Sequence, residues 1–202
     1  MKSTAEKILD AAEDLFAEKG YDATSLGDVA DTVGIRSPSL YNHFRNKEAL
    51  YTAVVERLIA RFAFPLLEML NEEVTHKSVL KWLVKLVNLH HDNPNFARLM
   101  QHAALSGGPQ QAKELIERML KPIFERRGEE AEKKLFGLAN PDLQPFAVIA
   151  LNNIVMSYIT MAPFYKDMLG MDPFCEEAKA LQIEMIVKLA TFVMGPDSDD
   201  DN

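Results

Sequence analysis

Between Arg36 and Lys47 the chain reads RSPSLYNHFRNK. The stretch holds three Arg or Lys side chains, a Tyr, a His, two Ser and two Asn, and no carboxylate, in a chain of formal net charge -8. Small hydroxyls and amides exchange hydrogen bonds with the edges of bases, and cations and phenols reach phosphate oxygens. Ser37, Ser39 and Asn42 suit the first task, Asn being matched to adenine. Arg36, Tyr41, His43 and Lys47 suit the second, with Arg45 as a further cation. Attraction to phosphate depends on the local field, so an acidic total does not exclude nucleic acid. The acids cluster elsewhere, in EEAE near residue 130 and in the tail DSDDD.

Such groups must be held on rigid elements, and the spacing supplies them. Ile8, Leu9, Ala12, Leu15 and Phe16 form a helical stripe, closed by Gly20 as a left-handed cap. Ser25 and Asp28 make a capping box for a second helix. There Leu26, Val29, Ala30 and Val33 face inward, and Gly34 ends it. Ser37 caps a third, SPSLYNHF, with Pro38 at its first position, where the missing N–H costs nothing. Leu40 and Phe44 point to the core. Asn46 caps a fourth helix from Lys47, with Leu50, Val54, Leu58 and Phe62 buried and Pro65 kinking or ending it. Two short helices joined by VGIRS form a helix-turn-helix, whose second helix enters a major groove. Lys47 and the free N–H groups at the start of the fourth helix form an anion site.

Further helices are expected at about 75–91, 94–105, 109–127, 143–169 and 173–194, with HDNP, SGGP, ANPD and LGMDP between them. No alternating pattern suggests a strand. The fold class is all-α: an N-terminal three-helix helix-turn-helix domain over 1–48, a helical effector-binding and dimerisation domain over 49–194, and a disordered acidic tail over 195–202. At 202 residues, 48% hydrophobic and 26% charged, the chain reads as soluble and globular. No N-terminal signal is expected, and the single cysteine, Cys175, fits a reducing cytoplasm. The uncharged run 145–164, PFAVIALNNIVMSYITMAPF, has the length of a membrane span. Asn152 and Asn153 near its middle argue instead for a helix buried on most sides by protein.

The segment TAEKILDAAEDLFAEKGYDATSLGDVADTVGIRSPSLYNHFRNKEAL resembles the DNA-binding region of TetR-family transcription regulators over about the first 55 residues, without a gap. Its points include Gly20, Tyr21, Ser25, Gly34, Tyr41, His43, Phe44 and Lys47. The resemblance implies a bacterial cytoplasmic regulator, usually a repressor, that binds a double-stranded DNA operator. It implies that Tyr41, His43 and Lys47 contact the DNA backbone, that Ser25 contacts phosphate, and that Ser37, Pro38, Ser39 and the residues to Asn42 carry sequence readout. Three positions depart from the pattern. Arg36 stands where many members have a small polar residue, Pro38 replaces a frequent Gly, and Gly27 replaces an early cation, removing one phosphate contact.

A dimer makes a palindrome readable, with two heads roughly 34–36 Å apart. The two C-terminal helices are the expected homodimer surface, the last through Ile183, Ile186, Val187, Ala190 and Val193. The resemblance also implies a small-molecule effector between the middle helices. Expected lining residues are Phe62, Trp82, Leu86, Phe96, Met100, Met119, Phe124, Asn153 and Ser157. Ten methionines suit an adaptable cavity for an apolar or aromatic ligand. No cofactor, catalytic group or membrane partner is expected. Two rival classes are a helical metal-dependent enzyme built on His90, His91 and His102, and a dimeric adaptor without DNA binding. Against the enzyme, adjacent His90 and His91 point to different helix faces and no HExxH occurs. Against the adaptor stand Tyr41, His43 and Lys47.

Overall fold

The computed structural model describes residues 2–71, 75–106, 108–124 and 143–194. Every regular element among them is an α-helix: α1 Thr4–Ala23, α2 Leu26–Val33, α3 Ser37–Tyr41, α4 Lys47–Asn71, α5 His76–Asp92, α6 Pro94–Ser106, α7 Gln110–Phe124, α8 Gln144–Leu169 and α9 Glu176–Met194. The expected tail over 195–202 lies outside the described residues. So do the side chains of Met119 and Phe124.

The chain forms two compact units. The first holds residues 1–61 and 95–121, hence α1 to α3, the first part of α4, most of α6, and α7 as far as Lys121. The second holds 62–94 and 122–202, hence the rest of α4, α5, α8 and α9.

In the first unit local chemistry sets the helix starts. Ser3 and Glu6 close a capping box on α1, and Ser25 and Asp28 close another on α2. Asn46 Oδ1 accepts from the Ala49 N–H at 2.8 Å and caps α4. Each cap satisfies an amide that the helix leaves without a partner, worth about 1 kcal/mol. Gly34 ends α2 at φ 74, ψ 34, and Ile35 N–H returns to the Ala30 carbonyl, the left-handed stop that glycine permits. Ile8, Phe16, Val29, Leu40, Leu50 and Val54 are fully buried, so α1, α2, α3 and α4 share one core. Leu26, Val33 and Phe44 are only partly covered.

A charged network joins α1 to α4. Arg57 donates to Asp10 Oδ1 at 2.7 Å and to Glu13, which is buried. Lys2 reaches Asp10 from the other side at 2.8 Å. These cations hold the Asp10 carboxyl below its usual range, the Lys2 hydrogen bond contributing most and burial opposing it.

In the second unit α5 packs on α9 and α8. Thr75 caps α5 through the Ser78 amide. α5 buries Val79, Leu83, Leu86 and Val87, α8 buries Val155 and Ile159, and α9 buries Ile186 and Ala190. His91 meets Gln182 Oε1 at 2.7 Å, tying α5 to α9.

Several expectations change. α3 is shorter than SPSLYNHF: Arg36 is its N-cap and makes no side-chain cap bond, Ser37 is its first residue, and Asn42 is its C-cap. Gly20 is not a terminal left-handed cap. At φ 79, ψ 175 it interrupts α1, and the helix resumes to Ala23. Pro65 does not end α4, which runs on to Asn71. α8 is long and apolar enough to cross a membrane, and only 28% of that window is buried in the chain, so it is not covered on most sides.

Candidate nucleic-acid interface

Four helix ends meet around one hollow in the first unit. Its volume is about 510 Å³, and its walls are Asp22, Ala23, Thr24, Ser25, Leu26, Gly27, Tyr41, Asn46 and Lys47. These are the last turn of α1, the first turn of α2, the end of α3 and the start of α4. Two helix N-termini therefore face the same space, where backbone N–H groups and helix dipoles favour an anion.

Lys47 is built into this wall. Its Nζ donates to the Tyr21 carbonyl at 2.8 Å and to the Asp22 carbonyl at 3.4 Å, and sits 4.3 Å above the centre of the Tyr21 ring. The ammonium thus satisfies carbonyls at the end of α1, where the dipole is negative, and gains a cation–π contact. An ammonium has three protons. A lysine fixed in this way has little side-chain entropy left to lose when an anion arrives. Tyr21 meets Tyr51 edge-on at 5.0 Å, and Tyr51 meets Phe16 likewise at 5.0 Å, so the platform under the ammonium is anchored in the core. Burial pushes both phenols up, Tyr51 to about 12, and both are neutral at neutral pH.

Ser25 is equally committed. Its Oγ donates to Asp28 Oδ2 at 2.8 Å and accepts from the Asp28 N–H at 3.1 Å. The Asp28 carboxyl is held below its usual range, chiefly by the Ser25 N–H and then by the Ser25 hydroxyl. Its charge is turned into the cap. Gly27 stands on the hollow's wall, and a Cβ there would meet only Ser25 Oγ, at 3.4 Å. A longer side chain has room there, so the residue type and not crowding removes a cation.

Of the residues expected to meet DNA, Arg36, Ser37, Pro38, Ser39, Tyr41, Asn42 and His43 are exposed on or beside α3, Tyr41 at 54%. Ser25, Tyr41 and Lys47 are brought together at the hollow. Arg36, Ser37, Pro38, Ser39, Asn42 and His43 do not line it and form the α3 side of the surface. Sequence reasoning does not identify Asp22 and Asn46 as hollow-formers. It also misses the tie from Lys47 to α1, which spans 26 residues and leaves no local signal.

The expected effector residues divide. Phe62, Trp82 and Leu86 are buried in the second unit. Phe96 and Met100 are half-buried in the first. Asn153 and Ser157 require correction: both are exposed on α8 and do not line the interior of the chain. A second hollow in the first unit, of about 350 Å³, is lined by Thr52, Glu56, Gln111, Glu114, Leu115 and Arg118, none of them an expected effector residue. The histidines of the rival enzyme are used singly. His90 is buried with Nδ1 at 2.9 Å from the Leu86 carbonyl, His91 holds Gln182, and His102 lies against Gly20. Among the described residues no group of three His, Cys, Asp or Glu could hold a metal.

Lys47→Ala is expected to weaken binding to every duplex about tenfold and to lower the salt slope by about one per subunit. Anisotropy titrations from 50 to 200 mM salt (about the range where the slope is steep) measure both. An unchanged slope would remove Lys47 from the phosphate set.

Residues 8–54 match the family described as bacterial regulatory proteins, tetR family. The HTH-type transcriptional repressor ComR of Escherichia coli is 51% identical over 58 residues, 29% of this chain and 28% of that protein. The biofilm operon icaADBC HTH-type negative transcriptional regulator IcaR of Staphylococcus epidermidis is 38% identical over 82 residues, 41% of this chain and 44% of that protein. The chain thus matches less than half the length of these curated relatives. Solved structures share the fold across nearly the whole chain. A bacterial regulatory protein in the tetR family from Rhodococcus has a TM-score of 0.68 at 18% identity, covering 96% of this chain and 98% of that one. The fatty acid degradation regulator FadR from Bacillus halodurans has a TM-score of 0.64 at 19% identity, covering 92% and 96%. Residues 8–54 thus carry the DNA-binding segment described for the tetR family of bacterial regulatory proteins, and the all-helical fold is shared with solved structures along nearly the whole chain.

Proposed function

We propose that this protein is a cytoplasmic, ligand-responsive transcriptional repressor that binds a palindromic double-stranded DNA operator as a homodimer. The observation that carries the reading is the surface made by α3 and the hollow beside it. α3 exposes Ser37, Pro38, Ser39 and Asn42 and carries no acid. Its end, at Tyr41, forms one wall of an anion-suited hollow that also holds Lys47 and the first turn of α2. Direct readout belongs to α3, with Asn42 on adenine, and phosphate anchoring to Lys47, Tyr41, His43, Arg36 and Ser25.

Dimerisation is supported by two unpartnered apolar faces in the second unit. On α8, Phe146, Ile149, Ile154, Met161, Phe164 and Met168 recur at steps of three to seven and are exposed. The opposite face, with Val148, Leu151, Val155 and Ile159, is buried. On α9 the exposed stripe is Leu181, Met185, Leu189, Phe192 and Val193. This corrects the expected stripe, since Ile186 and Ala190 are buried within the chain itself and only Val193 belongs to both. Apolar faces of this extent call for a partner, and closed two-fold dimers are the commonest solution.

The effector is a small apolar or aromatic molecule bound in the body near Phe62, Trp82 and Leu86. It must favour a head spacing that DNA rejects, and DNA opposes it by the same factor. Selection of duplexes from a random pool with the purified chain tests the reading. The expected product is an inverted repeat whose half-sites lie about one helical turn apart. Enrichment of no sequence over the starting pool, or of single unpaired sites, would overturn it.

A further inference from the structure

α6 touches α1 at two points, the second two residues before Asp22 of the hollow's wall. At the start of this helix Asn95 Nδ2 donates to Asp14 Oδ1 of α1 at 2.7 Å. Seven residues on, about two turns along the same face, stands His102. Its Nδ1 lies 3.1 Å from the point a Cβ on Gly20 would occupy. That is tighter than ordinary van der Waals contact, so the ring rests on bare backbone. Gly20 is required twice over: for φ 79, which other residues resist, and for the ring's approach. Thr24 steadies the break by donating its hydroxyl to the Gly20 carbonyl at 2.8 Å.

The residues just past the break give it consequence. They are Tyr21 and Asp22, whose carbonyls hold Lys47. Gly108 leads to the same place. A Cβ on Gly108 would stand 3.5 Å from the Tyr51 hydroxyl. The Tyr51 ring meets Tyr21, and the Tyr21 ring carries the Lys47 ammonium. His102 thus stands against the residue before Tyr21, and Gly108 against Tyr51, the ring that Tyr21 packs on.

We propose that His102 is a positioning residue for phosphate binding: its imidazole, seated on the glycine break, sets the last turn of α1 and through it the Lys47 ammonium. This role rests on the DNA-binding function proposed for the chain. Packed interiors transmit small displacements instead of absorbing them. A shift of α6 therefore moves the tail of α1, and Lys47 goes with the carbonyls that hold it. The hollow thus responds to α6 without any ligand touching the DNA-facing surface.

The test uses the full chain and a duplex obtained by selection. His102→Ala should lower affinity about tenfold and reduce the salt slope toward that of Lys47→Ala. His102→Asn, whose amide can stand where Nδ1 stands, should restore binding to within about twofold. In a Lys47→Ala background, His102→Ala should add less than about twofold, because residues acting through one contact are not additive. Circular dichroism melts confirm that each variant is folded, and His102→Gln replaces His102→Ala in the cycle if the latter melts early. Unchanged affinity and slope on His102 substitution, or a full additive loss in the Lys47→Ala background, overturns the role. A wild-type chain that retains no duplex even at low salt overturns the DNA reading itself, a result no variant can imitate.

Discussion

Met185→Glu combined with Phe192→Glu is expected to separate the proposed homodimer and to lower affinity for its proposed operator by about 100-fold or more. Met185 is 58% exposed and Phe192 86% exposed on α9, so neither substitution disturbs the buried face that holds α9 to α5. In a two-fold interface the same patch meets itself, and each glutamate then faces apolar surface or its own copy. Burying an unpaired carboxylate costs several kcal/mol, enough to dissociate a micromolar complex. The loss on DNA follows from geometry. Joining two heads makes the second binding step intramolecular, a gain of about 10²–10⁴ without any new contact. A lone head keeps its α3 surface and its hollow but forfeits that gain. Sedimentation velocity reads the first effect and anisotropy on a palindromic duplex the second. A variant that still sediments as a dimer would place the interface elsewhere. Half-site affinity equal to full-site affinity in the wild type would remove the dimer from DNA recognition.

How much of this is legible in the sequence depends on how local each determinant is. Ser25 with Asp28, Gly34 and Asn46 act within three or four residues of themselves, and each does what its type and spacing predict. The order and approximate extent of the helices follow for the same reason. The length of α3 escapes the sequence because a five-residue helix has no periodicity to measure and its cap carries no side-chain bond. Pro65 does not end α4 because a proline weakens a helix locally while burial of Leu58, Phe62, Leu66 and Met69 supports it on both sides. The site is half legible. Which residues can touch DNA follows from side-chain chemistry. That Lys47 is braced by Tyr21, and that His102 sits behind Gly20, depends on contacts across 26 and 82 residues. The outward face of α9 is hidden for another reason. The helix is apolar on nearly every side, so hydrophobic spacing gives no direction. It buries Gln182 and exposes Phe192, the reverse of what composition suggests.

His90 defines where acid should act first. Below about pH 6.5 the second unit is expected to lose stability, by about 3 kcal/mol once the pH has fallen to about 4. The source is His90, which is fully buried in the structure, with its ring 4.7 Å from that of Phe62 at a steep angle. Its Nδ1 is set to donate to the Leu86 carbonyl, which suits a neutral ring. Burial pushes its pKa down from 6.5 to about 4, the carbonyl opposing and the adjacent His91 adding a smaller push in the same direction. Between those two values the unfolded chain binds a proton that the folded chain refuses. Stability therefore rises with pH through this window and is flat above it. Asp10 behaves differently: its folded value lies below the ordinary 3.8, so its contribution is lost only at lower pH. His90→Leu keeps an apolar group of similar size among Phe62, Leu86 and Val87 and removes the titration. Urea midpoints of wild type and His90→Leu, compared at about pH 7.5 and pH 4.5, should converge in acid even if the variant is the weaker at neutral pH. Parallel loss in both proteins would show that His90 carries its proton in the folded state as readily as in the unfolded one, and that acid sensitivity arises elsewhere.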